Sequence, residues 1–254
     1  MEKEQRKIVI PGETIMTDDS LLPGDGAYRE GKDVVARRYG LAEIRDRQVR
    51  VIPISGAYTP RRGNVVIGTI ADITMNGWLM EFGTFQKAFL SLNEVPRYIN
   101  KDELRDFLDF GDSVIFKITS VKARGIDSTL KDRGLGRITN GMIVNINANK
   151  VPRVIGKEGS MVKLIRNATG CNLTVGQNGV VWIRGDKLED ELNAKKIVNY
   201  VVENATNAGL TETVEKYIKE LGLKLKVEIS EDEIEVVEEN THEDKENDKE
   251  WFII

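Results

Sequence analysis

The stretch Val154–Ile165, VIGKEGSMVKLI, sets Gly156 and Gly159 between an apolar pair and an apolar run at helical spacing. Glycine lacks a Cβ, so a turn built on these two positions lets another backbone approach closely. Met161, Leu164, Ile165 and Ala168 recur on one face and predict a helix that starts at Ser160. The first turn of such a helix carries unpaired N–H groups and a partial positive charge, which suits an anion.

Working outward, "MIVNINA" predicts a strand, "VPRVIG" a short helix after Pro152, and "CNLTVG" and "GVVWIRG" two more strands. Leu188, Leu192, Ile197, Val198, Val201 and Val202 mark one face of a longer helix. The order β-α-GxxG-α-β-β-α is that of the KH module, whose loop clamps about four nucleotides of single-stranded RNA. Lys157 lies inside the loop, and Arg153, Lys163 and Arg166 flank it. Glu158, also inside it, would repel phosphate. The loop candidates for RNA binding are therefore Arg153, Gly156, Lys157, Gly159, Ser160, Lys163 and Arg166. Both glycines are expected to lie against the bound strand. "ETVEKYIKELG" predicts a further helix and "KLKVEI" a strand.

Upstream, "NVVIGTIADIT", "WLMEF", "AFLSL", "DSVIFKITSVKA" and "DSTLKD" read as five short strands, with a tight turn at Asn76–Gly77. "NKDELRDFLDFG" inserts a short helix that stops at a glycine. This pattern predicts an OB-type barrel. OB faces bind strands by stacking bases on aromatics and tracking phosphates with cations. Lys87, Lys117, Lys122 and Arg124 are the candidate backbone contacts, whereas Trp78, Phe82 and Phe89 read as core. Before the barrel, "IVIPGE", "VVARRYG", "LAEIRD" and "VRVIPISG" are β-branched pieces too short for helices, which predicts a small all-β domain.

The fold expected is thus multidomain. It comprises a β-rich domain over 1–60, an OB-type barrel over 61–133, an α+β KH domain with a C-terminal extension over 134–230, and an acidic disordered tail over 231–254. Residues 230–254 hold 11 acidic side chains and 2 lysines, a net −9, which leaves 35 basic and 30 acidic residues and a net +5 for 1–229. An acidic tail on a mildly basic body accompanies nucleic-acid binding in many chains. The apolar end "WFII" suits a partner contact or a frayed terminus.

Composition also narrows the chemistry. Cys171 and His242 are single, so no internal disulfide and no cysteine zinc cluster can form. Cys171 reads as a buried core residue. Neither Ser-His-Asp nor Cys-His catalysis has a histidine in a foldable segment. "GDGAYREG" and "RGLGRI" resemble phosphate loops, but Arg29 and Thr139 stand where the last glycine is needed, and no cofactor is expected. No metal constellation is visible. The charged N-terminus is not a signal peptide, and no apolar run approaches the roughly 20 residues of a membrane span. A cytoplasmic protein without a membrane association is expected.

The barrel segment "GTIADITMNGWLMEF…KAFLSLNEV" resembles an S1 domain, with Leu79 and Ser91 where that family often has an aromatic and a histidine. Together, "VIPGE", "GAYREGKDVVA", "VRVIPISGAYTPRRGNVVIG" and "KVPRVIGKEGSM" resemble the RNA-binding cap subunit of the archaeal exosome, over about residues 5–230. That resemblance implies a non-catalytic subunit. Three copies would sit as a trimeric cap on a hexameric ring of RNase PH-like subunits. The N-terminal domain would dock near "VIPGE" and "GAYREG", while the S1 and KH domains would guide single-stranded RNA, 3′ end first, to the pore for 3′-to-5′ degradation. Two alternatives stand beside it. One is an S1/KH transcription elongation factor, which would need a second KH domain. The other is a metal-dependent nuclease using Asp72, Glu81 and Asp127.

Overall fold

A computed structural model describes residues 7–45, 47–205 and 209–223. The predicted strand over 224–229, the acidic tail and the terminal "WFII" lie outside the described residues.

The N-terminal domain is all β, as its short β-branched runs predict. Its strands are β1 (Lys7–Val9), β2 (Thr14–Thr17), β3 (Leu22–Pro23), β4 (Ala27–Glu30), β5 (Asp33–Ala36), β6 (Gly40–Arg45) and β7 (Gln48–Pro53). They form two sheets, ordered β1-β6-β7-β3 and β2-β5-β4. Val9, Ala36, Ala42 and Val51 make one buried cluster, and Leu21, Val34 and Val49 another. Glu43 is buried and lies opposite Arg50, whose Nε donates to its Oε2 at 2.8 Å. A buried carboxylate needs such a partner. The outer face carries a row that crosses three strands, since Ile8 pairs with Leu41 and Leu41 with Ile52. Ile8, Ile10, Leu22 and Ile52 on this side are exposed.

The barrel consists of β8 (Val65–Thr74), β9 (Gly77–Glu81), β10 (Ala88–Ser91), β11 (Ser113–Lys122), β12 (Gly125–Thr129) and β13 (Gly136–Arg137), with the one-turn helix α1 (Leu104–Phe107) inserted. The sheet order is β12-β10-β9-β8-β11-β13, and β12 also pairs with β11, which closes it. Closure removes the exposed edges that an open sheet would present. Trp78, Met80, Leu90, Phe116 and Ile118 fill the interior, and Trp78 Nε1 donates to Leu108 O at 3.0 Å. Trp78 and Phe82 are core residues as expected, while Phe89 is only half-buried. Gly77 is obligatory, because a Cβ there would stand 1.9 Å from Leu90 O.

The third unit holds β14 (Met142–Asn145), α2 (Val151–Ile155), α3 (Ser160–Thr169), β15 (Asn172–Val175), β16 (Val180–Arg184), α4 (Leu188–Glu203) and α5 (Leu210–Glu220). The antiparallel sheet runs β14-β16-β15. Met161, Ile165, Ala168, Cys171, Val181, Ile183, Ile197, Val198 and Val201 form its core. Burial pushes the Cys171 thiol upward in pKa, as expected of a core cysteine. The predicted inner face of α4 needs a correction at its start. Leu188 is 65% exposed and Leu192 41% exposed, whereas Glu191 is buried. Glu191 turns inward because its Oε1 accepts the Gly185 N–H at 3.0 Å. That polar demand rotates the first turn away from the purely apolar stripe. Helix α5 packs on α4, with Tyr217 stacked on Tyr200 at 4.1 Å between ring centroids.

The β15–β16 turn fastens this unit to the barrel. Gln177 N donates to Val65 O at 2.9 Å. Asn178 Nδ2 donates to Ile67 O at 2.7 Å and to Phe82 O at 3.0 Å, and its Oδ1 accepts from Ile67 N at 3.2 Å. A cleft of about 460 Å³ lies along the seam, lined by Thr69, Glu81, Gly83, Ile143, Asn145 and Asn178 among others. Among the described residues, no helix is long and apolar enough to cross a membrane.

Candidate nucleic-acid interface

The GxxG turn joins α2 to α3. Gly156 ends α2 at φ 78° and Gly159 precedes α3 at φ 73°, both in the region that favours glycine. Between them Glu158, a non-glycine residue, also has positive φ, at 53°. The two glycines do different work within the fold. A Cβ on Gly156 would meet Met161 N at 2.6 Å and Ser160 Oγ at 2.7 Å. Gly156 therefore lets the loop fold back onto the start of α3. A Cβ on Gly159 would find only Lys163 Cε, at 4.0 Å. Gly159 is thus the bare surface that a sugar-phosphate chain can approach.

The charges around this surface suit that approach. Arg153, Lys157, Lys163 and Arg166 are all exposed. Ser160 is the first residue of α3, directly after the N-cap Gly159. The Ser160 N–H donates to Lys157 O in the loop, and the N–H groups that follow it in the first turn of α3 have no acceptor earlier in the helix. Lys163, one turn on, leans back over Gly159. An anion at Gly159 would meet main-chain donors and an ammonium together. Glu158 is exposed and carries the opposing charge.

The barrel candidates fall into two kinds. Lys117 Nζ is paired to Asp132 at 2.7 Å and Lys122 Nζ to Asp127 at 3.0 Å. The Lys122 hydrogen bond holds the Asp127 carboxyl below its usual range against the opposing effect of burial, with a smaller contribution from Ser120. Exposed pairs of this kind are worth little and exchange readily for a phosphate. Lys87 and Arg124 are exposed and make no ion pair among the described residues. Lys87 immediately precedes β10, whose Ala88 is beside Ile126 of β12, so it adjoins the β11–β12 turn, which follows directly on Lys122 and carries Arg124.

The acids considered for a nuclease are held apart or engaged. Asp72 Oδ1 accepts from Ile73 N at 2.8 Å, and Asp127 is committed to Lys122 and Ser120. Among the described residues, no three His, Cys, Asp or Glu side chains stand close enough to hold a metal ion.

Two features of the surface carry no sequence signal. Asn178 sits in a glycine-flanked turn that reads as an ordinary loop, and Phe85 is one aromatic among polar neighbours.

Comparison with known proteins agrees with this architecture. The KH domain family model matches residues 141–199. The exosome complex component Rrp4 of Methanosarcina mazei is 35% identical over 222 residues, covering 87% of this chain and 85% of that protein. The chain belongs to the Rrp4 family of exosome complex components. The Rrp4 of Thermoplasma volcanium is 36% identical, over 85% of this chain and 91% of its own length. That of Methanobrevibacter smithii is 36% identical, over 83% of this chain and 70% of its own. A crystal structure of an exosome complex RNA-binding protein superposes with a TM-score of 0.59 at 32% identity, over 65% of this chain and 97% of the other. These Rrp4 matches extend well beyond the KH segment, so the family assignment does not rest on the GxxG unit alone.

Proposed function

We propose that this chain is a non-catalytic RNA-binding subunit of an exosome, a cap that captures single-stranded RNA and passes its 3′ end to a phosphorolytic ring. The observation that carries this reading is the turn at Gly159. There an open backbone surface, the start of α3 and four exposed cations converge, on a chain of the Rrp4 family. RNA phosphates cross Gly159 and meet the N–H groups of α3, while Lys157 and Lys163 neutralise charge. Lys87, Lys117, Lys122 and Arg124 on the barrel continue the track. The protein supplies position and local concentration, and its partners break the bonds.

The N-terminal domain docks on the ring. Its outer row of Ile8, Leu41 and Ile52, with Ile10 and Leu22 nearby, offers apolar area that an isolated monomer has no reason to expose. In this reading three copies cap a hexamer of RNase PH-like subunits.

The test has two arms. Fluorescence anisotropy with the purified chain should show binding of a single-stranded oligoribonucleotide, and the same chain should leave that RNA intact with and without divalent metal. Native mass measurement of the complex isolated through this chain should return three copies on a six-membered ring. Metal-dependent cleavage by the chain alone, or isolation with a polymerase in place of a ring, overturns the proposal.

A further inference from the structure

The barrel's interior aromatics offer no stacking surface, because Trp78 and Phe82 are buried. Among the exposed rings of this unit, Phe110 is 51% exposed and already carries the Arg105 guanidinium over its face, Tyr98 is 90% exposed, and Phe85 is the most exposed. Phe85, in the loop between β9 and β10, is 95% exposed, which leaves nearly the whole phenyl group in water. The loop around it is fixed by hydrogen bonds. Thr84 Oγ1 donates to Gln86 O at 2.6 Å, and Gln86 Nε2 donates to Ala123 O at 3.1 Å in the β11–β12 turn. Gly83, at φ 85°, turns the chain into the loop and lines the seam with the KH domain.

Cations lie close by in the chain and on the neighbouring turn. Lys87 follows Phe85 by two residues, and the turn that Gln86 grips carries Arg124 and follows directly on Lys122, the last residue of β11. Asp127 pairs with Lys122, and Lys87 and Arg124 make no ion pair among the described residues. Glu81, exposed at the end of β9, is the carboxylate on the loop's own approach. An exposed aromatic on a hydrogen-bonded loop, with the unpaired cations Lys87 and Arg124 on the loop and the adjoining turn, matches the requirements of a single nucleotide, a base face beside its phosphates.

We propose that Phe85 is the base-stacking platform of the barrel, with Lys87 and Arg124 meeting the phosphates on either side of the stacked nucleotide. The ligand is single-stranded RNA with little sequence preference, since every base has a π-face. This inference rests on the RNA-binding reading above and adds a residue and a contact type to it. The stacking site lies on a loop tip at the domain seam.

The experiment compares the full chain with its Phe85→Ala, Phe85→Trp and Arg124→Ala variants, using an oligoadenylate that contains 2-aminopurine. Phe85→Ala should weaken binding by between about 5-fold and 150-fold, with the slope of affinity against salt unchanged and the fluorophore less quenched. Phe85→Trp should restore both affinity and quenching. Arg124→Ala should instead lower the salt slope by about 0.7, the increment for one phosphate on a single strand. Unchanged affinity in Phe85→Ala overturns the proposal while leaving RNA binding intact. Normal RNA binding with failure of the same variant to join the ring assigns Phe85 to a protein contact and also overturns it. Absence of binding by the unsubstituted chain would instead remove the RNA-binding reading, and this proposal with it.

Discussion

The side chain of Asn178 binds both peptide groups of Ile67, donating to its carbonyl at 2.7 Å and accepting its N–H at 3.2 Å. It acts as a one-residue strand laid beside β8, and a third bond to Phe82 O ties in the end of β9. The KH domain is held to the barrel by this amide together with the main-chain bond from Gln177 to Val65.

Asn178→Ala should therefore loosen the seam. It leaves the Ile67 N–H and two carbonyls short of a partner in a partly buried place, a loss of about 1–3 kcal/mol. Differential scanning calorimetry should show the KH and barrel transitions moving apart. A single unshifted transition would refute the role given to Asn178.

The two loop glycines should respond differently. Gly156→Ala adds a Cβ 2.6 Å from Met161 N at a positive φ, and should cost about 1–3 kcal/mol of stability. Gly159→Asp meets open space, and aspartate tolerates left-handed backbone better than most residues. It places a charge where phosphate would lie, so RNA affinity should fall about tenfold, a plausible scale for like charges near a protein surface. Thermal melting and anisotropy on both variants check the contrast. Equal melting losses, or unchanged affinity in Gly159→Asp, would contradict it.

Lys157→Ala should weaken binding about equally for different RNA sequences and reduce the salt slope by about 0.7. A titration over several salt concentrations decides this. An unchanged slope would remove the phosphate contact from Lys157.

Alkaline pH should stress the junction between the N-terminal domain and the barrel. The Tyr58 hydroxyl donates to Asn64 Oδ1 at 2.7 Å, and burial pushes its pKa up to about 12. In the unfolded chain the phenol ionises near 10. Between those values the unfolded state loses a proton that the folded state keeps. The contribution of Tyr58 is thus complete below pH 10 and declines as pH rises toward 12. Tyr58→Phe cannot ionise, so its melting temperature should fall less steeply across that window. Parallel declines for both proteins would show that Tyr58 does not couple to folding.

Cys171 is buried and its thiol is pushed upward in pKa, so a thiol reagent should label it only when the KH domain opens. Labelling rates that track denaturant concentration, and stay slow in the native protein, are the expected result.

Periodicity and glycine placement alone determined a good deal of this molecule. The β-branched runs of 8–53 could bury their apolar side chains only as strands. The turn at Asn76–Gly77 joins a hairpin because Gly77 must pass beneath Leu90, and the GxxG turn announces itself because glycine is needed where φ is positive. These are local demands, written into residues close in sequence. Tertiary structure alone decided the rest. Leu188 and Leu192 match a helical stripe but face outward, since Glu191 had to reach Gly185. Asn178 reads as a loop residue until Ile67, 111 positions away, is brought alongside it. Phe85 lies in the open because Gln86 is held by Ala123 across two strand turns. The partners of Asn178 and Gln86 are 111 and 37 positions away, so no window of neighbouring residues contains them, while Gly185 is six residues from Glu191 but its backbone N–H leaves no mark in the sequence pattern.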